Sequence, residues 1–135
     1  MRKQWQYVLV IGTIAGFVLG VFLWIMERNT GEKVYTLLLN VDFIPFLRNR
    51  TSIILEWFFH LMIAWMITWF YLKLSQRKMY LALLVGFVAG LTYLPLTIIA
   101  VQSTPAVNDG MAILYWFIGH GTFGISLYYL ERFFR

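Results

Sequence analysis

Residues 53–74 read IILEWFFHLMIAWMITWFYLKL, with one carboxylate (Glu56), one imidazole (His60) and one ammonium (Lys73) in an otherwise apolar run. A run of that length with no period-of-two alternation is a helix long enough to cross about 30 Å of hydrocarbon at about 1.5 Å per residue. Backbone N–H and C=O groups in lipid must be paired within the segment, which a helix does and an open strand does not. Three more blocks of the same kind follow from the hydropathy: about Trp5 to Met26, Met79 to Val101 and Met111 to Leu130. The expected fold is therefore an all-α integral membrane protein, a single domain over residues 1–135 with spans near 5–26, 53–74, 79–101 and 111–130. The short connection Ser75-Gln76-Arg77-Lys78 makes sequence neighbours antiparallel neighbours, and an up-down bundle is the simplest arrangement.

Composition agrees. The chain is 61% hydrophobic and 13% charged, against roughly 45–50% and 25% in ordinary globular domains. With no cysteine, thiol catalysis, Cys-ligated zinc and iron–sulfur clusters are excluded. No phosphate-cradling, metalloprotease or acyl-transfer motif is present, and the expectation is a non-enzymatic protein. The net charge of +5 is spread over loop ends without a basic stripe, so the expected partner is the lipid headgroup layer and not nucleic acid.

The first block ends in Trp24-Ile25-Met26-Glu27 with no small-x-small cleavage signal and reads as a retained span. Arg2, Lys3, Lys73, Arg77, Lys78, Arg132 and Arg135 fall on one side of the four spans. Arg28, Lys33, Arg48 and Arg50 fall on the other, diluted by Glu27, Glu32 and Asp42. The positive-inside bias places both termini in the cytoplasm. Aromatics mark both rims: Trp5, Tyr7, Trp69, Tyr71, Tyr80, Tyr128 and Tyr129 inside, and Trp24, Trp57, Tyr115 and Trp116 outside. Val34 to Leu47 is too short to span and reads as an interfacial or re-entrant segment of the first outer loop. It either lids the bundle or, more simply, rests among headgroups.

Gly12, Gly16 and Gly20 form one small-residue ridge; Ala82, Gly86 and Gly90 form another. Such ridges let backbones approach and gain dispersion contacts. They serve either packing within the chain or a homodimer through an exposed ridge. Gly12-Thr13-Ile14-Ala15-Gly16 and Gly86-Phe87-Val88-Ala89-Gly90 share a Gly-x-x-Ala-Gly pattern, which with His60 and His120 suggests a doubled helical hairpin. Pro95 lacks an N–H and should kink the third span.

Ionisable groups inside a span are costly unless paired, so each is a functional hypothesis. Glu56 and His60 share a helical face, and His120 lies at a similar depth on the fourth span. Three readings stand. Glu56, His60 and His120, with Tyr93, Thr92 and Thr97 as auxiliaries, bind a proton, a cation or a small polar ligand. Alternatively, His60 and His120 ligate a haem b iron, with Gly119 and Gly121 leaving room for the ring. In the third, the histidines only bond neighbouring helices, Glu56 is stabilised by the helix start with Arg48 or Arg50, and Glu131 and Asp109 are solvated at helix ends. A structural subunit of a larger membrane complex fits the same residues.

The Gly-x-x-Ala-Gly first span, the histidine in the second, Leu94-Pro95-Leu96 in the third and Ile118-Gly119-His120 before Glu131-Arg132-Phe133-Phe134-Arg135 together resemble the YagU-like family of small bacterial inner-membrane proteins. That resemblance implies an inner-membrane location and no established enzymatic activity. Tyr93 stands where that pattern has another polar group, so only His60 and His120 carry over as site residues.

Overall fold

The computed structural model describes residues 2–135. Six helices make up the fold: α1 (Arg2–Thr30), α2 (Val34–Leu39), α3 (Ile53–Leu74), α4 (Met79–Gly90), α5 (Tyr93–Ile99) and α6 (Gly110–Phe134), with no strand among the described residues. Four stretches are long and apolar enough to cross a bilayer: α1, α3, α6 and the broken pair Met79–Ile99. α1 and α6 outlast their apolar blocks, because polar ends still satisfy their backbone in helical geometry, whereas α3 coincides with its block and the third span stops at Ile99. Ser52 caps α3 by accepting from the Leu55 N–H, and Asp109 caps α6 by accepting from the Ala112 N–H. Those caps occupy donors that the first turn leaves unpaired.

The break in the third span comes from Pro95, whose ring removes a donor and crowds the preceding turn. Thr92 N–H turns back to Ala89 in a tight three-residue bond, and the helix restarts at Tyr93. One carbonyl freed at the break, that of Gly90, accepts from the Trp116 indole at 2.8 Å. Trp116 is thereby a core residue with no exposed surface, and Tyr71 is buried as completely. Both were expected at the rims; the polar end of each ring turned inward instead.

The helices form a ring in the order α3–α1–α6–α4, with α3 and α4 meeting only sparingly. The glycine ridges build it. A Cβ on Gly12 would strike Trp65 and Thr68, on Gly16 Leu61 and Ala64, and on Gly20 Trp57, so α1 and α3 run antiparallel. On the other side Gly124 abuts the Ala82 carbonyl, Gly86 the His120 carbonyl and Gly90 the Phe117 ring, so α4 and α6 are antiparallel too. Both ridges are filled within the chain, leaving neither exposed for the glycine-mediated homodimer. The hairpins do repeat, but one turn out of step with the sequence motif. Gly16 and Gly86 occupy equivalent places beside His60/Ala64 and His120/Gly124, and Gly20 and Gly90 lie beside Trp57 and Phe117.

One end of the ring is closed by α2. Gly31, at φ +79, ends α1 in a left-handed turn that glycine adopts without strain. The reversal lets Glu27 grip α2: its carboxylate accepts from the Thr36 N–H at 2.8 Å and the Thr36 hydroxyl at 2.7 Å. Val34 and Leu37 are fully buried, and the Trp57 indole donates to the Tyr35 hydroxyl at 3.0 Å. Beyond α2, Asp42 accepts from the Val101 and Gln102 N–H groups, and Asn40 from the Gln102 side chain. The segment is thus a docked lid, and the expectation that it rests loosely among headgroups is corrected. Nearby, a hydrogen bond to Asp109, then partial burial and like charge, raise the pKa of Glu32 above its usual range.

The opposite end holds a second correction. Glu131 is 1% exposed, not solvated. It accepts from the Ser75 hydroxyl at 2.6 Å and pairs with Arg135 at 3.1 Å, while Arg135 also donates to the Leu72 carbonyl. Ser75 ends α3 in the turn toward α4, so this carboxylate ties that turn to α6.

Three stability outcomes follow. Gly86→Ala and Gly124→Ala each force a Cβ into a facing carbonyl and should cost about 1–3 kcal/mol in thermal unfolding in detergent. Gly121, which faces open space, should gain about 0.5–1 kcal/mol on replacement by Ala. Thr36→Val leaves half of the Glu27 carboxylate unpaired and should loosen the lid by about 1–2 kcal/mol, read as faster hydrogen exchange at the α2 amides.

Candidate functional site

Between the four sides of the ring lies a cavity of about 210 Å³. Its wall is apolar except where two imidazoles and the Thr92 hydroxyl reach it. His60 enters from α3 and His120 from α6, the two diagonal members of the ring, and both line the same space. They are 8% and 5% exposed. Leu19 of α1 and Leu38 of the lid complete the closed end, with Ala64, Phe123 and Leu96 along the sides.

Each ring has one nitrogen committed to a carbonyl. His60 Nε2 lies 3.0 Å from the Gly16 carbonyl oxygen across the helix boundary, and His120 Nδ1 lies 2.8 Å from the Trp116 carbonyl one turn earlier on α6. A carbonyl oxygen only accepts, so both of these nitrogens carry hydrogen. In the neutral ring the other nitrogen, Nδ1 of His60 and Nε2 of His120, then holds a lone pair. Neither has a hydrogen-bond partner among the described residues. The first contact depends on Gly16: with no side chain there, the α3 ring reaches the α1 backbone. Each ring is further held by a tryptophan of its own helix. Trp116 lies over His120 at 4.6 Å between centroids, and Trp57 meets His60 edge-on at 5.5 Å.

The remaining candidates fall elsewhere. Glu56, one turn before His60, accepts from the Thr51 hydroxyl at 3.0 Å and contributes nothing to the cavity wall. Its place in the first turn of α3 explains this, since the nearest donors there belong to its own N-terminal loop. Tyr93 is buried, but its hydroxyl donates to the Ala106 carbonyl at 2.8 Å, pinning the loop before α6 to α5. Thr97 bonds back to carbonyls of its own helix. Of the expected Glu/His/Tyr cluster, the structure brings together His60 and His120 alone.

What this arrangement can hold is limited by size and charge. Ligand sites for drug-sized molecules run to about 300–1,000 Å³, and this cavity is smaller. Gly119, expected to leave room for a flat macrocycle, is covered by Leu19, Phe22 and Leu23 of α1. Among the described residues no group of three or more His, Asp, Glu or Cys converges to hold a metal ion. Two neutral imidazoles without a carboxylate offset little of the cost of stripping water from a divalent cation. The chemistry on offer is a small apolar chamber with two hydrogen-bond acceptors.

Sequence reasoning did not find Trp116 or Gly16 as parts of this site, and it held the lid as the less simple of two readings. The spacing of a tryptophan one turn before each histidine was visible; the carbonyl partners were not, because backbone acceptors leave no mark in composition. No family model, curated protein or solved structure matches the chain.

Proposed function

We propose that this chain is a four-span, up-down membrane protein with both termini cytoplasmic. Its role is to bind, without chemical turnover, a small and mostly apolar molecule that donates hydrogen bonds to His60 and His120. The membrane part rests on the outer faces. Ile54, Phe58, Met62, Met66 and Phe70 form one uninterrupted exposed stripe along α3, and α4 continues it with Leu84, Phe87, Val88 and Leu91. Contiguous apolar faces of this extent belong to hydrocarbon and not to water. Cations sit over aromatic rings at both ends of the ring, Arg28 on Trp24 and Lys73 on Trp69, the arrangement that interfacial anchoring uses. The YagU-like resemblance agrees with a bacterial inner membrane.

The binding part rests on one observation: two imidazoles from opposite helices line one apolar chamber, each with one nitrogen committed to a carbonyl. A hydroxyl donor satisfies one of the two acceptors and a second hydroxyl the other, and the aliphatic wall takes the rest of the molecule. Among the described residues, His60 and His120 are the titratable groups that line the chamber. Neutral imidazole accepts and imidazolium does not, so binding requires both rings to stay uncharged.

The chain has two histidines, so nitrogen-15 labelling reads each ring in lipid nanodiscs. At about pH 7.5 the spectrum should show Nε2–H for His60 and Nδ1–H for His120. Adding 4-propylphenol, with one O–H to donate, should move at least one of the two unprotonated nitrogens; 4-propylanisole, which lacks the O–H, should leave both in place. Equal shifts from both compounds, or none from the phenol, would sink the reading.

A further inference from the structure

The cavity is closed at one end and along most of its sides, but not along the seam between α3 and α4–α5. The lid covers the end nearest His60, with Leu38 as part of the ceiling. Leu19 and Phe123 close the α1 and α6 sides. On the remaining side the wall is made by Ile63 and Ile67 of α3 opposite Ala89, Thr92 and Pro95 of the broken span. Ile63 is 50% exposed while lining the cavity, and Thr92 and Pro95 are exposed as well. A residue that touches both the interior space and the outside forms the rim of an opening. The seam is also where the ring is least joined: α3 meets α4 sparingly and makes no substantial contact with α5. Pro95 matters here, since the break it causes divides the third span into α4 and α5 beside the two imidazoles.

The direction of that opening decides what enters. Ile63 and Ile67 lie in the middle of α3, far from either polar end, and the exposed neighbours around the rim are Met62, Met66, Val88 and Leu91. On the membrane reading, this mouth faces hydrocarbon. Water-soluble ligands would have to pass the lid, which is held by the Glu27–Thr36 and Asp42–Gln102 bonds.

We propose that the two-histidine cavity loads sideways from the bilayer: its ligand is a membrane-dissolved amphiphile with a hydroxyl-bearing head, such as an alkylated phenol or a quinol. The head lodges against His60 and His120 and the tail leaves between α3 and α4–α5. This rests on the binding function proposed above and adds the route and the ligand class. A head with two hydroxyls matches two acceptors on opposite walls. A chamber of about 210 Å³ accommodates a head and a short chain, so a long chain has only the seam to occupy.

Chain length is therefore the test. The full chain in phosphatidylcholine nanodiscs is titrated with 4-propylphenol and 4-dodecylphenol, each expressed as mole fraction in the lipid, with the His60 and His120 ring nitrogens as readout. Both should bind, with half-saturating mole fractions within about threefold of each other. Ile63→Trp, which places an indole at the rim on an already exposed position, should weaken 4-dodecylphenol by about tenfold or more and 4-propylphenol by less than about twofold. If 4-propylphenol binds and 4-dodecylphenol does not, the chamber is closed, and lateral loading is overturned while the binding function stands. If Ile63→Trp weakens both equally, the seam is not the route and the proposal is likewise overturned. If neither phenol moves either ring, the binding function fails and this inference with it.

Discussion

His60 reaches the carbonyl of Gly16 at 3.0 Å, and much of the molecule is arranged so that it can. A ring nitrogen shut away from water must find a partner inside the protein or forfeit the strength of a hydrogen bond. The partner here is the backbone of another helix, and a side chain on Gly16 would press on Leu61 and Ala64 and push the two helices apart. The same logic recurs at Gly86 and Gly124, where α4 and α6 touch backbone to backbone. It recurs again at Gly90, whose carbonyl, orphaned by the Pro95 break, takes the Trp116 indole proton. Close helix approach and polar satisfaction are one constraint in this fold. The glycines supply the distance, and the ring N–H groups use the carbonyls thereby exposed.

That constraint also fixes the chemistry of the cavity. Because each histidine commits a proton to a carbonyl, each presents an acceptor instead of a donor. The tautomers are mirror choices, Nε2–H in His60 and Nδ1–H in His120, dictated by whether the carbonyl lies across on another helix or back along the same one. Held rings are what a specific site needs, since a freely rotating imidazole would present either nitrogen. The tryptophans Trp57 and Trp116 limit that rotation from the ring faces and edges. The buried Glu131, tied to Ser75 and Arg135 at the other end of the ring, plays no part in the cavity; it anchors the α3–α4 turn to α6 and so holds the far end of the seam together.

How far the sequence could be read differs by kind of feature. Span number and approximate limits follow from apolar run length, which is a property of consecutive residues. The break near Pro95 follows from a missing N–H, equally local. His60 and His120 at one level was an inference from counting residues along two helices, and they do line one chamber. Glu56 was grouped with them because it shares a face with His60, yet sharing a face leaves open whether a side chain points to the core or to its own N-terminal loop, where Thr51 waits. Glu131 was read as solvated because it is near a helix end. Its burial depends on Ser75 and Arg135 meeting it, and Ser75 lies in a distant part of the chain.

The sequence by itself determined that this is an all-helical chain with four apolar helices of spanning length, two of them bearing a histidine, because hydropathy and backbone pairing act over neighbouring residues. Only the tertiary structure decided that the glycine ridges are filled from within, that Val34–Leu39 is a docked lid, and which nitrogen of each histidine is free. Those outcomes depend on which backbone lies opposite which ring. That is set by helix packing at ångström distances between residues tens of positions apart, information that no local pattern carries.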